Sequence, residues 1–274
     1  MRAGVILALL GTALAASASA GGAPRLPRIV SINPCVDAVL VRVADPHQIA
    51  AISHYSQDAR STSIPLSVAM RFKATSGTAE EVVALSPDVV IAGSHVEPST
   101  SGALKRLGLK LVQLPVAATI AENNAQIHTI AKAAGQSARG EMLVATIDAA
   151  VREAAPPLGA PVLPALIWQG GGLVPGTGTL SDDLLRVTGY RNLSASYGLK
   201  QWDVLPLEYL VARPPRVLLS VGAINPNDRL LGHPVLRRLK GRMAVRAYPE
   251  RLMQCAGPTV IEAVQRLAAV RKSL

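Results

Sequence analysis

The chain of 274 residues holds two cysteines, Cys35 and Cys255, near opposite ends. Each follows an apolar run and precedes a segment with helical spacing, and a helix N-terminus favours a thiolate. Three chemistries are open to the pair. In an oxidising compartment two cysteines most often form a disulfide. That requires Cα atoms within about 7 Å and would hold a cleft between two lobes nearly shut. A thiolate pair would instead suit a soft or borderline metal, or the metal centre of a ligand. The third reading is two unpaired, partly buried small residues. His54 and His95 stand just past two N-terminal strands, on the edge where α/β sheets take ligands, and imidazole ligates metals well. Cys35, His54, His95 and Cys255 are therefore the candidate metal ligands, although an isolated loop histidine is more often plain polar surface.

Aromatic residues make up only 3% of the chain, so those at strand and loop ends stand out. Tyr55, Trp168 and Trp202 are candidate flat walls for a planar ligand. Trp168 and Gln169 close a strand together, and Trp168 suits core packing equally well. The runs Gly170-Gly171-Gly172 and Gly176-Thr177-Gly178 lack the Lys-Ser/Thr pair of a phosphate-binding loop and the spacing of a dinucleotide fingerprint. They read as a flexible turn lining a cleft. No nucleophile elbow, HExxH or Ser-x-x-Lys is present. Asp182 and Asp183 are adjacent, so on a helix they point about 100° apart and cannot share a site.

The elements that must hold these residues alternate between strand and helix. Strands are expected over 28–32, 48–53, 88–92 and 110–114. Asn33-Pro34 reads as an N-cap with proline at the first helical position, followed by Val36, Val39, Leu40 and Val43 at helical spacing. Further helices are expected over 79–85, 101–107 and 121–134, and a longer one over 138–154 that stops at Pro156-Pro157. Beyond it, strands are expected over 162–168, 216–221 and 244–248. Helices are expected over 181–187, capped by Ser181, and over 207–212, 234–239 and 258–271. Such alternation implies parallel α/β layers.

Two segments repeat each other. AEEVVALSPDVVI at 79–91 and LEYLVARPPRVLL at 207–219 place Glu80 with Glu208, Val83 with Val211, and Pro87 with Pro215. The repeat implies two similar lobes, 21–136 and 156–274, joined by a helix over 137–155, with function in the cleft between them. Arg2, the apolar run from Val5 to Ala16 and Ser17-Ala18-Ser19-Ala20 read as a secretory leader over 1–20, cleaved after Ala20. No cysteine follows the run, so no lipid anchor is expected. Apolar residues are 49% of the chain and the formal charge is +10. The only basic cluster, Arg237-Arg238-Leu239-Lys240-Gly241-Arg242, has no interleaved aromatics, so a solvated face is favoured over nucleic-acid binding.

RIVSINPCVDAVL, AAISHYSQD, EEVVALSPDVVIAG and EYLVARPPRVLL, in that order and spacing, resemble the periplasmic vitamin B12 and iron-chelate binding proteins of ABC importers. The resemblance implies two α/β lobes bridged by one long helix. It implies a monomer with no cofactor of its own, which delivers a metal-organic cargo to an inner-membrane permease. A corrinoid is the first cargo it implies, and a ferric siderophore or haem the next. On the same basis Tyr55 and Trp202 contact the cargo, and Glu80 and Glu208 dock onto permease arginines. The chain departs from the family at Gly93-Ser94-His95, where a tryptophan is expected, and near Cys255, where a basic residue is expected. The rival reading is a periplasmic metalloenzyme or redox protein built on the Cys/His set.

Overall fold

In a computed structural model the described residues are 25–221, 234, 239 and 241–274. The expected leader, most of the helix expected over 234–239 and half of the basic cluster lie outside them. The first lobe has strands β1 (Ile29–Ser31), β2 (Ile49–Ser53), β3 (Ala74–Thr75), β4 (Val89–Gly93) and β5 (Lys110–Leu114). They form a five-stranded parallel sheet in the order β3-β2-β1-β4-β5. Its helices are α1 (Pro34–Val43), α2 (Leu66–Ala69), α3 (Ala79–Ala84), α4 (Pro98–Arg106) and α5 (Ile120–Ala133).

The second lobe follows α6 (Ser137–Ala154), an 18-residue helix. At 1.5 Å per residue it is roughly 27 Å long, enough to bridge two domains. Strands β6 (Leu163–Trp168), β8 (Tyr190–Asn192), β10 (Val217–Val221) and β11 (Ala244–Tyr248) make a parallel sheet in the order β11-β10-β6-β8. Strands β7 (Leu173–Pro175) and β9 (Trp202–Val204) form a separate antiparallel ribbon. Helices α7 (Leu180–Val187), α8 (Leu207–Ala212) and α9 (Thr259–Lys272) complete the lobe. The internal repeat is visible in the topology: α3–β4 and α8–β10 hold equivalent places, each strand between the lobe's first strand and its last.

Both sheets are covered on two faces, so their central strands are apolar without alternation. All five residues of β10 are buried, as are the first four of β4. One core runs through both lobes. It joins Ile29, Val39 and Ile91 to Ile127 and Ile147 of α5 and α6, and these to Leu219, Val264 and Leu267. Smaller clusters fill the outer faces, with Val30, Val82 and Leu104 in one lobe and Leu166, Trp168 and Leu218 in the other. No described helix is long and apolar enough to cross a membrane.

One expected cap is corrected. Thr179, not Ser181, caps α7: its side chain accepts from the Asp182 amide and its backbone is extended, so the helix starts at Leu180. Strands β3, β7, β8 and β9 and helix α2 were not expected from the sequence. Each is two to four residues long, too short to carry a period.

Candidate ligand-binding site

The C-terminal edge of the first sheet is assembled by the start of α1. Asn33 accepts from the amides of Cys35 at 2.9 Å and Val36 at 3.2 Å, as an N-cap should. Strand β2 ends at Ser53 and the chain turns at once into a single 3-10 turn, His54–Gln57. Ser53 caps that turn by accepting from the Tyr55 amide. His54 and Tyr55 are both exposed, and their rings lie 4.1 Å apart between centroids. His54 Nδ1 is 3.2 Å from the Thr75 carbonyl, which can only accept, so Nδ1 carries a proton. Gln57 anchors the far end, donating to the carbonyls of Ala69 and Phe72.

Beneath the turn lies Asp37, which sequence reasoning passed over. It has no exposed surface, although it sits on an α1 face otherwise made of Val36, Val39, Leu40 and Val43. That misfit, an acid among apolar residues, was the available signal. Its Oδ2 accepts from the Ser53 amide at 2.9 Å and the Ser56 hydroxyl at 2.7 Å. Among the described residues its Oδ1 has no hydrogen-bond partner, and the Ser31 hydroxyl donates to the Asn33 carbonyl. Burial pushes the carboxyl up to about 7, against the lowering pull of the bonds from Ser56 and Ser53.

The cysteines resolve to the first of their three readings. Cys35 and Cys255 are joined, with Cα atoms 5.0 Å apart. The link crosses from the first turn of α1 to the segment before α9. Around it the lobes touch directly. The Gly257 amide donates to Asn123 Oδ1 of α5 at 2.5 Å, and Ser63 donates to the Arg251 carbonyl at 3.0 Å. The four-residue metal set is thereby corrected. Paired sulfurs are not thiolate ligands, and no group of three His, Cys, Asp or Glu residues gathers for a metal among the described residues. His95 is exposed in the turn after β4, apart from any such group.

In the second lobe Trp168 is corrected too. It is 0% exposed, packed with Leu166, Val174, Leu205 and Leu218, so it offers no face to a ligand. Gln169 is half-buried and its amide donates to the Leu173 carbonyl. The glycine run after it is a tight 3-10 turn: Gly172 has φ +86°, and a Cβ there would lie 2.9 Å from the Leu205 carbonyl. The turn is packed at Gly172, while Gly170 and Gly171 are exposed with nothing within 4 Å of an added Cβ. Trp202, paired with Pro175 across the β7–β9 ribbon, is 47% exposed and keeps an open ring face.

Glu80 and Glu208 are both exposed in the first turns of α3 and α8. The structural bonds at the start of α3 belong to their neighbours. Glu81 accepts from the Thr75 hydroxyl and the Ser76 amide, each at 2.7 Å, and Thr78 caps the helix. Capping therefore does not account for Glu80.

Comparison with known proteins matches this architecture. The chain superposes on the periplasmic haem-binding protein RhuT from Roseiflexus sp. RS-1 with a TM-score of 0.72 at 22% identity, over 88% of this chain and 96% of that one. The periplasmic haem-binding protein HutB of Vibrio cholerae gives 0.73 at 17% identity, over 89% and 98%. The periplasmic vitamin B12 binding protein BtuF of Vibrio cholerae gives 0.68 at 14% identity, over 90% and 97%. At these identities the likeness shows the fold. No curated protein matches the chain. The profile of the periplasmic binding proteins matches residues 29–241, which takes in the first lobe from β1 on, the bridging helix, the internal repeat and the second lobe up to Gly241, and the chain belongs to that family.

Proposed function

We propose that the chain is the substrate-binding component of an ABC importer. It captures a metal-organic cargo at the cleft between its lobes and hands it on unchanged. In this reading the leader ends at Ala20, and the mature chain works unlipidated and as a monomer in the periplasm. Lobes 21–136 and 156–274, joined by the helix over 137–155 and tied by the Cys35–Cys255 link, flank the cargo at the cleft mouth with little hinge motion. The observation that carries the reading is the His54–Tyr55 pair, exposed side by side on the ligand edge of the first sheet. A phenol oxygen is a hard donor suited to ferric iron, and tyrosine is an established haem ligand type. The haem-binding names of RhuT and HutB support ferric haem as the first cargo to test, with a corrinoid second. Tyr55 and Trp202 supply the ring faces, while Trp168 drops out.

The test is optical. Ferric haem, cobalamin and a ferric siderophore are titrated into purified protein while visible absorption is followed. Tyr55→Phe should weaken haem binding by about tenfold or more, roughly 1.4 kcal/mol, and shift its bands. Failure of all three to bind tighter than about millimolar would sink the cargo reading. Docking is tested separately. Charge reversal at both sites, Glu80→Lys with Glu208→Lys, should abolish delivery while leaving cargo affinity intact, because opposed charges at such an interface set encounter and register. Uptake that survives the double reversal removes the docking role.

A further inference from the structure

We infer that Asp37 is the positioning residue of the cargo site: its buried carboxylate fixes the His54–Tyr55 turn, an inference that rests on the reading of Tyr55 given above. One oxygen, Oδ2, holds both ends of the segment. It takes the amide of Ser53 and the hydroxyl of Ser56, the two residues that flank His54 and Tyr55. The exposed pair therefore stands on a bridge whose feet meet at one atom. Strand β2 alone fixes Ser53, but Ser56 lies beyond the sheet. Its hydroxyl, on a residue with no exposed surface, has this carboxylate as its partner.

The carboxyl is itself a fixed point. It lies in the first turns of α1, where Asn33 caps the helix and Cys35 is bonded to the other lobe. Asp37 is also a poor choice for any role confined to packing. A valine or leucine would continue the apolar face of α1 without desolvating a carboxyl or leaving Oδ1 unpartnered. The bonds to Ser53 and Ser56 are what an apolar residue could not supply. They hold the two residues that carry the cargo chemistry.

The experiment has a cargo-free arm and a cargo arm. In the first, amide hydrogen exchange is followed in peptides covering 50–58 and, as a reference, in α9. Asp37→Ala should speed exchange through the turn by about tenfold or more while α9 keeps its protection. Asp37→Asn, whose amide oxygen can still accept both bonds, should restore most of the protection. In the second arm the same variants are titrated with ferric haem. Asp37→Ala should lose about tenfold in affinity with altered visible bands, and Asp37→Asn should stay close to the parent. If Asp37→Ala does not fold, Ser56→Ala removes one foot of the bridge and must show the faster exchange. A folded Asp37→Ala or Ser56→Ala with an unchanged turn overturns the inference. So does a loosened turn that binds haem as tightly, and with the same spectrum, as the parent. If the parent takes up no haem, the cargo reading falls, and the exchange arm still decides whether Asp37 fixes the turn.

Discussion

A carboxyl with no access to water is held either neutral or at high electrostatic cost, and Asp37 is such a group. Its folded value of about 7 stands above the ordinary 3.8, with burial as the cause and no charged neighbour contributing. The folded chain thus keeps a proton that the unfolded chain releases between those two values. Stability from this source is complete below about pH 4 and is lost as pH rises through 7. At one pKa unit per 1.36 kcal/mol the swing is on the order of 4 kcal/mol at most. Chemical denaturation at pH 5 and pH 8 should show the parent weaker at pH 8, and Asp37→Asn should flatten that difference. A parent with equal stability at both values would show that the carboxyl is not held neutral. Single residues were unevenly legible in the sequence. The Asn33-Pro34 cap could be read because its physics is local. The state of Cys35 could not, because three chemistries fit the same residue and only the distance to Cys255 separates them. Trp168 at a strand end suits a core as well as a cleft, and the choice depended on the ribbon that folds over it.

Helices and strands of ordinary length were legible because each carries its own period and its own stop signals. Strand β5 and helix α8 lie where the sequence places them, and α6 differs from the expected 138–154 by one residue at its start. The ribbon β7–β9 was not legible: its strands of three residues each are defined by pairing with one another across the chain, not by local pattern. Close helix contacts were equally hidden. Gly140 lies in the first turn of α6, and a Cβ there would stand 2.5 Å from the Ala131 Cβ of α5. Two effects compete in Gly140→Ala. Alanine gains about 1 kcal/mol of helix propensity. The overlap falls on a neighbouring helix, not on a flexible chain end, and overpacking of that kind costs about 1–3 kcal/mol. We expect a net loss, read as a lower Tm, while Gly170→Ala, with nothing within 4 Å, stays neutral. A Gly140→Ala protein as stable as the parent would mean that α5 and α6 can separate freely.

At the scale of the whole molecule, the two-lobed plan was legible because the chain states it twice, once around Glu80 and once around Glu208. How the lobes are held together was not, since it depends on contacts between residues far apart in sequence. Three kinds of contact act at once: the continuous helix α6, the buried core shared through α5 and α6, and the Cys35–Cys255 link. The link spans 220 residues of sequence, so the loop it closes in the unfolded chain is nearly the whole protein. On a chain-entropy basis such a closure stabilises by about 5 kcal/mol, at the top of the range found for disulfides. For a chain of this size each kcal/mol moves Tm by roughly 2–4 °C. Cys35→Ser with Cys255→Ser, or reduction of the parent, should therefore lower Tm by about 10–20 °C. The lobes should nevertheless stay together in the folded protein. Helix α6 and the Gly257–Asn123 and Ser63–Arg251 bonds are independent of the sulfurs, and all lie outside the bond that is cut. Small-angle scattering should accordingly give nearly the same radius of gyration for the parent and the double serine variant. Scanning calorimetry with and without reductant checks the first outcome and scattering the second. A marked expansion of the folded variant would mean that the disulfide, rather than the helix and the shared core, sets the spacing of the lobes.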